Sequence, residues 1–192
     1  MIMSIAAIAI AALVTYIWLI RGFFSAFIHL IATIFAGAVA FAAWEPASYF
    51  LLEKGGSGVL GSSAWAIGLA VPFAVSLVLF RALMDGILRA NVVVGRIADY
   101  VGGGGCGLGA GIITSGIVVL SLGFMRLDTE LWGYKPIEYA PNGSIVRGDK
   151  LWVPTDRMVA GLYGHLSQNA FRTPNALAEY YPNLAEVGEV GV

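Results

Sequence analysis

Residues 99–124 read DYVGGGGCGLGAGIITSGIVVLSLGF. Two folds compete for this stretch. Gly102, Gly104 and Gly107 fit the spacing of a dinucleotide-binding loop, and Asp128 follows about twenty residues later. That reading needs a strand before the glycines and a soluble βαβ unit after them. Ile112 to Phe124 is instead a lipid-compatible apolar run. The other reading is helical. Steps of four from Asp99 reach Gly103, Gly107 and Gly111, and Ser115 extends the series. On a helix these residues share one face. Such a GxxxG face lets a second backbone approach closely, so that dispersion and weak Cα–H···O contacts join two helices in lipid. Each helical glycine costs about 1 kcal/mol relative to alanine, so the run implies close packing in return. The stretch reads as a membrane helix, and nucleotide binding is set aside.

The rest of the chain agrees. Of 192 residues, 58% are apolar and only 12% are charged, about half the charged share of soluble domains. The mean hydropathy is +0.80. Charge is too sparse to coat a soluble domain, and the formal net charge of −1 gives no basic surface for nucleic acid. The single cysteine, Cys106, has no internal disulfide partner and sits in an apolar span, where a thiol is inert packing.

Four spans follow from hydropathy: 2–20, 23–44, 64–80 (running on toward Leu88 at the interface) and 101–124. The first carries no charge, and at 1.5 Å per residue it is roughly 28 Å long, close to the hydrocarbon thickness. It lacks a basic n-region and a cleavage site, so it reads as a retained helix. Arg21-Gly22 is a very tight connection. Glu45-Pro46, Glu53-Lys54 and Gly55-Gly-Ser-Gly58 mark an aqueous loop over residues 45–63. Pro72 interrupts the backbone donors of the third span and predicts a kink, with Ser76 placed to satisfy the freed groups. Residues 81–100 are amphipathic and are placed at the membrane surface, with Asp85 and Arg89 as an i,i+4 pair. Trp18, Trp44 and Trp65 fall near span ends, where indoles sit among headgroups. Arg21, Arg81, Arg89 and Arg96 flank the first and third connections, against Lys54, Arg126 and Lys135 on the other side. The positive-inside rule puts those connections in the cytoplasm and both termini outside.

Residues 125–192 read as a small mixed α/β extramembrane domain. Asn142-Gly143 is the turn pair between short strands, and Leu151-Trp152-Val153 a further extended piece. Thr155 caps a helix from Asp156 to about Ala170. A shorter helix starts at Thr173-Pro174 and stops at Pro182, with a frayed end beyond. The fold class is therefore an all-α membrane bundle of about four helices over residues 1–124, with that tail domain.

Two features carry a resemblance. Arg21-Gly22-Phe23 forms a basic-glycine turn between two apolar helices, and Asp99 opens a final helix with Gly103, Gly107 and Gly111 behind it. The polar segment from Arg81 to Arg96 precedes that helix. In these respects residues 1–124 resemble the colicin V production protein (CvpA) family of bacterial inner-membrane proteins. The family commonly carries an aspartate near the start of its first helix, where this chain has Ser4. The resemblance implies a multi-pass inner-membrane protein with an accessory role in toxin production or export and in envelope homeostasis. It brings no catalytic residues and no cofactor.

A polar stripe remains. Ser25, His29, Thr33 and Gly37 recur every four residues on the second span, where such a stripe can face the glycine ladder. One reading makes His29 a titrating group in a proton or ion path. The plainer reading, a neutral imidazole hydrogen-bonded across a helix interface, is preferred, because no acidic partner lies inside any span. Asp99 has three readings: a cation ligand, a partner of Arg96 or Arg89, or, preferred, an acid favoured by the helix macrodipole. Neither a nucleophile–base pair nor a metal cluster is visible, and a metal at His165 lacks companions. The chain is expected to be no enzyme, with the bilayer and a membrane or periplasmic protein, a second copy included, as partners. The alternative function is a small channel or transporter component built on the His29 stripe, the Pro72 kink and the ladder. The chain is expected to stay with membranes through a carbonate wash and to leave them only in detergent. Monodisperse protein in plain buffer would overturn the bundle.

Overall fold

The computed structural model describes residues 2–55, 61, 63–87, 95–124, 137–139, 145–147 and 151–168. The elements are α1 (Ile2–Arg21), α2 (Phe23–Gly55), α3 (Ala64–Ile87), α4 (Arg96–Gly123), β1 (Ile137–Tyr139), β2 (Ile145–Arg147) and α5 (Thr155–Gln168). Helices α1 to α4 are each long and apolar enough to cross a membrane. Their outward faces are apolar as well: Leu13 and Ile20 on α1, Phe27 and Phe35 on α2, Val75, Val78 and Leu79 on α3, and Leu108 on α4 are exposed. A soluble monomer rarely carries so continuous an apolar belt. A bilayer accepts it.

The bundle is two tight pairs laid together. Helix α1 packs antiparallel on α4, and α2 antiparallel on α3, while α4 also lies along α2. Glycine decides the first pair. A Cβ placed at Gly103 would lie 3.2 Å from the Trp18 carbonyl oxygen, one at Gly107 3.1 Å from that of Thr15, and one at Gly111 2.6 Å from that of Ala11. The ladder thus meets bare α1 backbone. Ser115 is fully buried and bonds back to the Ile112 carbonyl (3.1 Å) within its own helix. In the second pair Gly68 makes room for Ser48, and Trp44 Nε1 donates to the Trp65 carbonyl (2.8 Å). Between α2, α3 and α4 the core is Ala36, Ala40, Phe41, Trp44, Leu69, Phe73, Ile113 and Ile117.

Several expectations are corrected. Helix α2 does not stop at Trp44. It runs on through Glu45 and Pro46 to Gly55, because Trp44 and Ser48 are anchored on α3 and outweigh the one donor that Pro46 forfeits. Its 33 residues measure ~50 Å, so the last turns project beyond a ~30 Å hydrocarbon core. Pro72 lies inside α3, as its place in the third span implied. Residues 81–100 are not one surface helix: 81–87 finish α3 and 96–100 open α4, with 88–94 outside the described residues. Asp85 pairs with Arg81, one turn back, at 2.7 Å; Arg89 lies outside the described residues. Trp18 and Trp44 are buried within the bundle, so of these three indoles Trp65 alone is partly exposed.

The mixed α/β tail domain is not supported. Strands β1 and β2 pair antiparallel, Ile137 with Arg147 and Tyr139 with Ile145, but each is three residues long, and a lone two-stranded ribbon is marginal. Helix α5 buries its apolar face in the transmembrane core instead, where Val159 and Tyr163 join Phe41 and Ile117. The Asn142-Gly143 turn and the helix expected after Thr173 lie outside the described residues.

The glycine contacts give a graded test. Gly107→Leu and Gly111→Leu must push α1 from α4 and are expected to cost about 1–3 kcal/mol or more, read as a lower Tm in detergent. Gly105 would meet nothing within 4 Å, so Gly105→Ala is expected to stabilise by up to about 1 kcal/mol through helix propensity. Unchanged melting of both leucine variants would show that α1 does not rest on the ladder.

Candidate functional site

A group of polar side chains gathers at the end of the bundle where α1 turns into α2. Gly22 makes that turn alone, at φ +86°, a conformation that L side chains rarely adopt. A helix starting one residue later has unsatisfied backbone donors in its first turn. Asp99 meets one of them. Its Oδ1 accepts from the Phe23 amide (3.4 Å), and its Oδ2 accepts from the Gly95 amide at the start of its own helix (3.4 Å). One carboxylate thus serves two helix N-termini, where negative charge is favoured. Asp99 makes no ion pair among the described residues. Asp99 lies in the first turn of α4, where the macrodipole reading puts it; the reach across to α2 was not legible in the sequence.

Beside this turn a stack has formed. The His29 ring lies on Trp18 with centroids 4.1 Å apart and an interplanar angle of 22°. Two guanidinium groups flank the same indole, Arg21 at 5.0 Å and Arg81 at 4.9 Å, a cation–π arrangement. Arg81 reaches back from the end of α3 to the start of α2. There it donates to the Ser25 hydroxyl (3.1 Å) and carbonyl (3.4 Å), while it is held by Asp85. Three helices are therefore tied through one indole and one guanidinium.

The four-residue stripe of α2 is real, but it does not face the glycine ladder. Ser25 meets α3 through Arg81, and His29 meets α1 through Trp18. The Thr33 hydroxyl donates to the His29 carbonyl one turn back (2.7 Å). Gly37 provides the space for the ring of Tyr163 from α5. The ladder is occupied by α1, while bulky Phe23 and Leu30 of α2 lie over Gly102 and Gly109. His29 is 8% exposed, and its Nδ1 is buried without a hydrogen-bond partner. The imidazole meets α1 through its ring face, by stacking on Trp18.

Glycines 102–107 lie inside α4 and not at a strand–helix turn. Cys106 is half-buried on the same helix. Among the described residues no three His, Cys, Asp or Glu side chains come together in a metal-holding group. Sequence reasoning singled out Ser25, His29, Thr33 and Asp99, which the structure places in separate contacts, and missed Trp18 and Arg81 as interhelical ties and the seat of Tyr163. No family model, no curated protein and no solved structure matches the chain.

The cap at Asp99 can be weighed. Asp99→Ala is expected to lower stability by about 0.5–2 kcal/mol, and Asp99→Asn, which keeps an acceptor, by less. Thermal unfolding in detergent reads both, and equal losses for the two variants would mean that charge and not hydrogen bonding holds the turn.

Proposed function

We propose that the chain is a non-enzymatic accessory protein of the bacterial inner membrane, in the role its resemblance to the colicin V production family implies: toxin production or export and envelope homeostasis. One observation supports packing over transport. The faces of α2, α3 and α4 that would line a conduit are filled by Phe41, Trp44, Leu69, Phe73, Ile113 and Ile117. Tight side-chain filling of this kind is what a helix-assembly protein needs. It is the opposite of a water-lined path. The gathering of Arg21, Arg81 and Arg96 at the α1–α2 end favours that end in the cytoplasm and the termini in the periplasm. The partner on this reading is a membrane or periplasmic protein, a second copy of the chain included.

A second reading rests on a different observation. His29 Nδ1 is buried and unpartnered beside the Trp18–Arg21–Arg81 group, and intramembrane ionisable residues often mark ion or proton routes. A small channel or transporter component would use it. Reconstitution in liposomes separates the two. The accessory reading expects proton and ion flux no greater than in empty vesicles, with His29→Ala indistinguishable from the parent. A flux that His29→Ala abolishes would reverse the ranking.

A further inference from the structure

The tail helix sits deeper than an extramembrane element can. Phe23 lies against Gly102 and Leu30 against Gly109, so α2 and α4 run side by side, in the same direction and in step. Gly37 and Gly116 therefore stand at one level. At 1.5 Å per residue that level is about 20 Å from the basic end of a core roughly 30 Å thick, and Thr33 is about 15 Å from it. Helix α5 touches the bundle at these levels. The Thr155 backbone and the Val159 side chain occupy the space above Gly116, and the Tyr163 ring occupies that above Gly37. The Tyr163 hydroxyl donates toward the Thr33 (3.4 Å) and Ile34 (3.1 Å) carbonyls near mid-core. Leu151 packs with Met3, Ala7 and Val119 toward the opposite end.

We infer that α5 is a re-entrant helix, docked on α2 and α4 within the bilayer, with its outer face against lipid acyl chains. Its 14 residues are too few to span. On its outer face Met158 and Leu162 are exposed at 49% and 37%, Gly161 has nothing within 4 Å, and His165 is exposed toward the C-terminal end. Two of its polar groups turn inward, while Arg157 is partly exposed and His165 exposed. Asp156 is 7% exposed and Thr155 1%, turned toward protein as ionisable residues at membrane depth are. Non-helical backbone is tolerated in hydrocarbon only where protein satisfies it. Part of the approach to α5 is satisfied in this way: Trp152 N donates to Ser4 Oγ (3.4 Å), Thr155 N to the Val153 carbonyl (2.8 Å) and Met158 N to the Pro154 carbonyl (3.0 Å). The inference rests on the bundle crossing a bilayer and is independent of the accessory role.

The test places a bimane fluorophore on Leu162→Cys, on Met158→Cys and, as a water-facing reference, on Glu53→Cys, all with Cys106→Ser and the full chain in proteoliposomes. Phospholipid brominated at mid-chain and aqueous iodide are the quenchers. The expected result is that bromolipid quenches the labels at 158 and 162 at least about twofold more than the label at 53, with iodide showing the reverse order. Iodide quenching at 158 and 162 equal to that at 53 would overturn the inference. So would labels that neither quencher reaches, which would mean that protein covers the face and lipid does not.

Discussion

At Gly111 the backbone of α4 comes so near Ala11 that no side chain fits between them without a shift, and one and two turns away, at Gly107 and Gly103, the approach is tighter than ordinary contact. Lipid tails are as apolar as leucine, so the hydrophobic effect does not drive two helices together inside a bilayer. What remains is contact itself: dispersion over a long seam, and glycine Cα–H groups facing the carbonyls of Ala11, Thr15 and Trp18. The conformational cost of the glycines is offset by that seam. Everything at the basic end depends on it. Only because α1 and α4 touch does Asp99 come within reach of the Gly22 turn, and only because that turn is held does α2 leave at an angle that lays His29 on Trp18.

The polar end of the bundle works as a set of ties. Asp99 joins α4 to the start of α2, Arg81 joins α3 to it, and Trp18 brings in α1. Each tie uses a group that would be costly alone in hydrocarbon and gives it a specific neighbour. Ser25, His29 and Thr33 share a face of α2, yet each answers to a different element. A stripe that looks like one site in sequence is a sequence of separate contacts along one helix.

How much of this was legible follows from the physics of each contact. Periodicity and length located α1, α3 and α4 to within a few residues, since hydropathy alone decides what lies in lipid. The ladder on α4 was visible because spacing by four is a property of one helix. Its partner was not. Ala11 and Thr15 of α1 are small enough to receive it, but they stand among isoleucines and leucines that hide the pattern. The end of α2 was misplaced because Glu45 and Pro46 are loop-formers by local rule, while Trp44 and Ser48 are held by residues of another helix. The bounds of α5 were close to those expected from Thr155 onward, yet the seat of Tyr163 over Gly37 joins residues far apart in the chain, and no local pattern announces it.

The seam between α1 and α4 also has a consequence in time. Helix α1 finds its main partner in α4, which is made well after it. The α1–α2 hairpin is complete while two further spans are still being synthesised, and at about 5–20 residues per second that is a wait of several seconds. Throughout it, the small-residue edge of α1 lies open to lipid and to any neighbouring nascent chain. Correct assembly is then a race between the arrival of the chain's own fourth span and a chance encounter with another copy's, so the rate of translation enters the fidelity of this fold alongside the strength of its contacts.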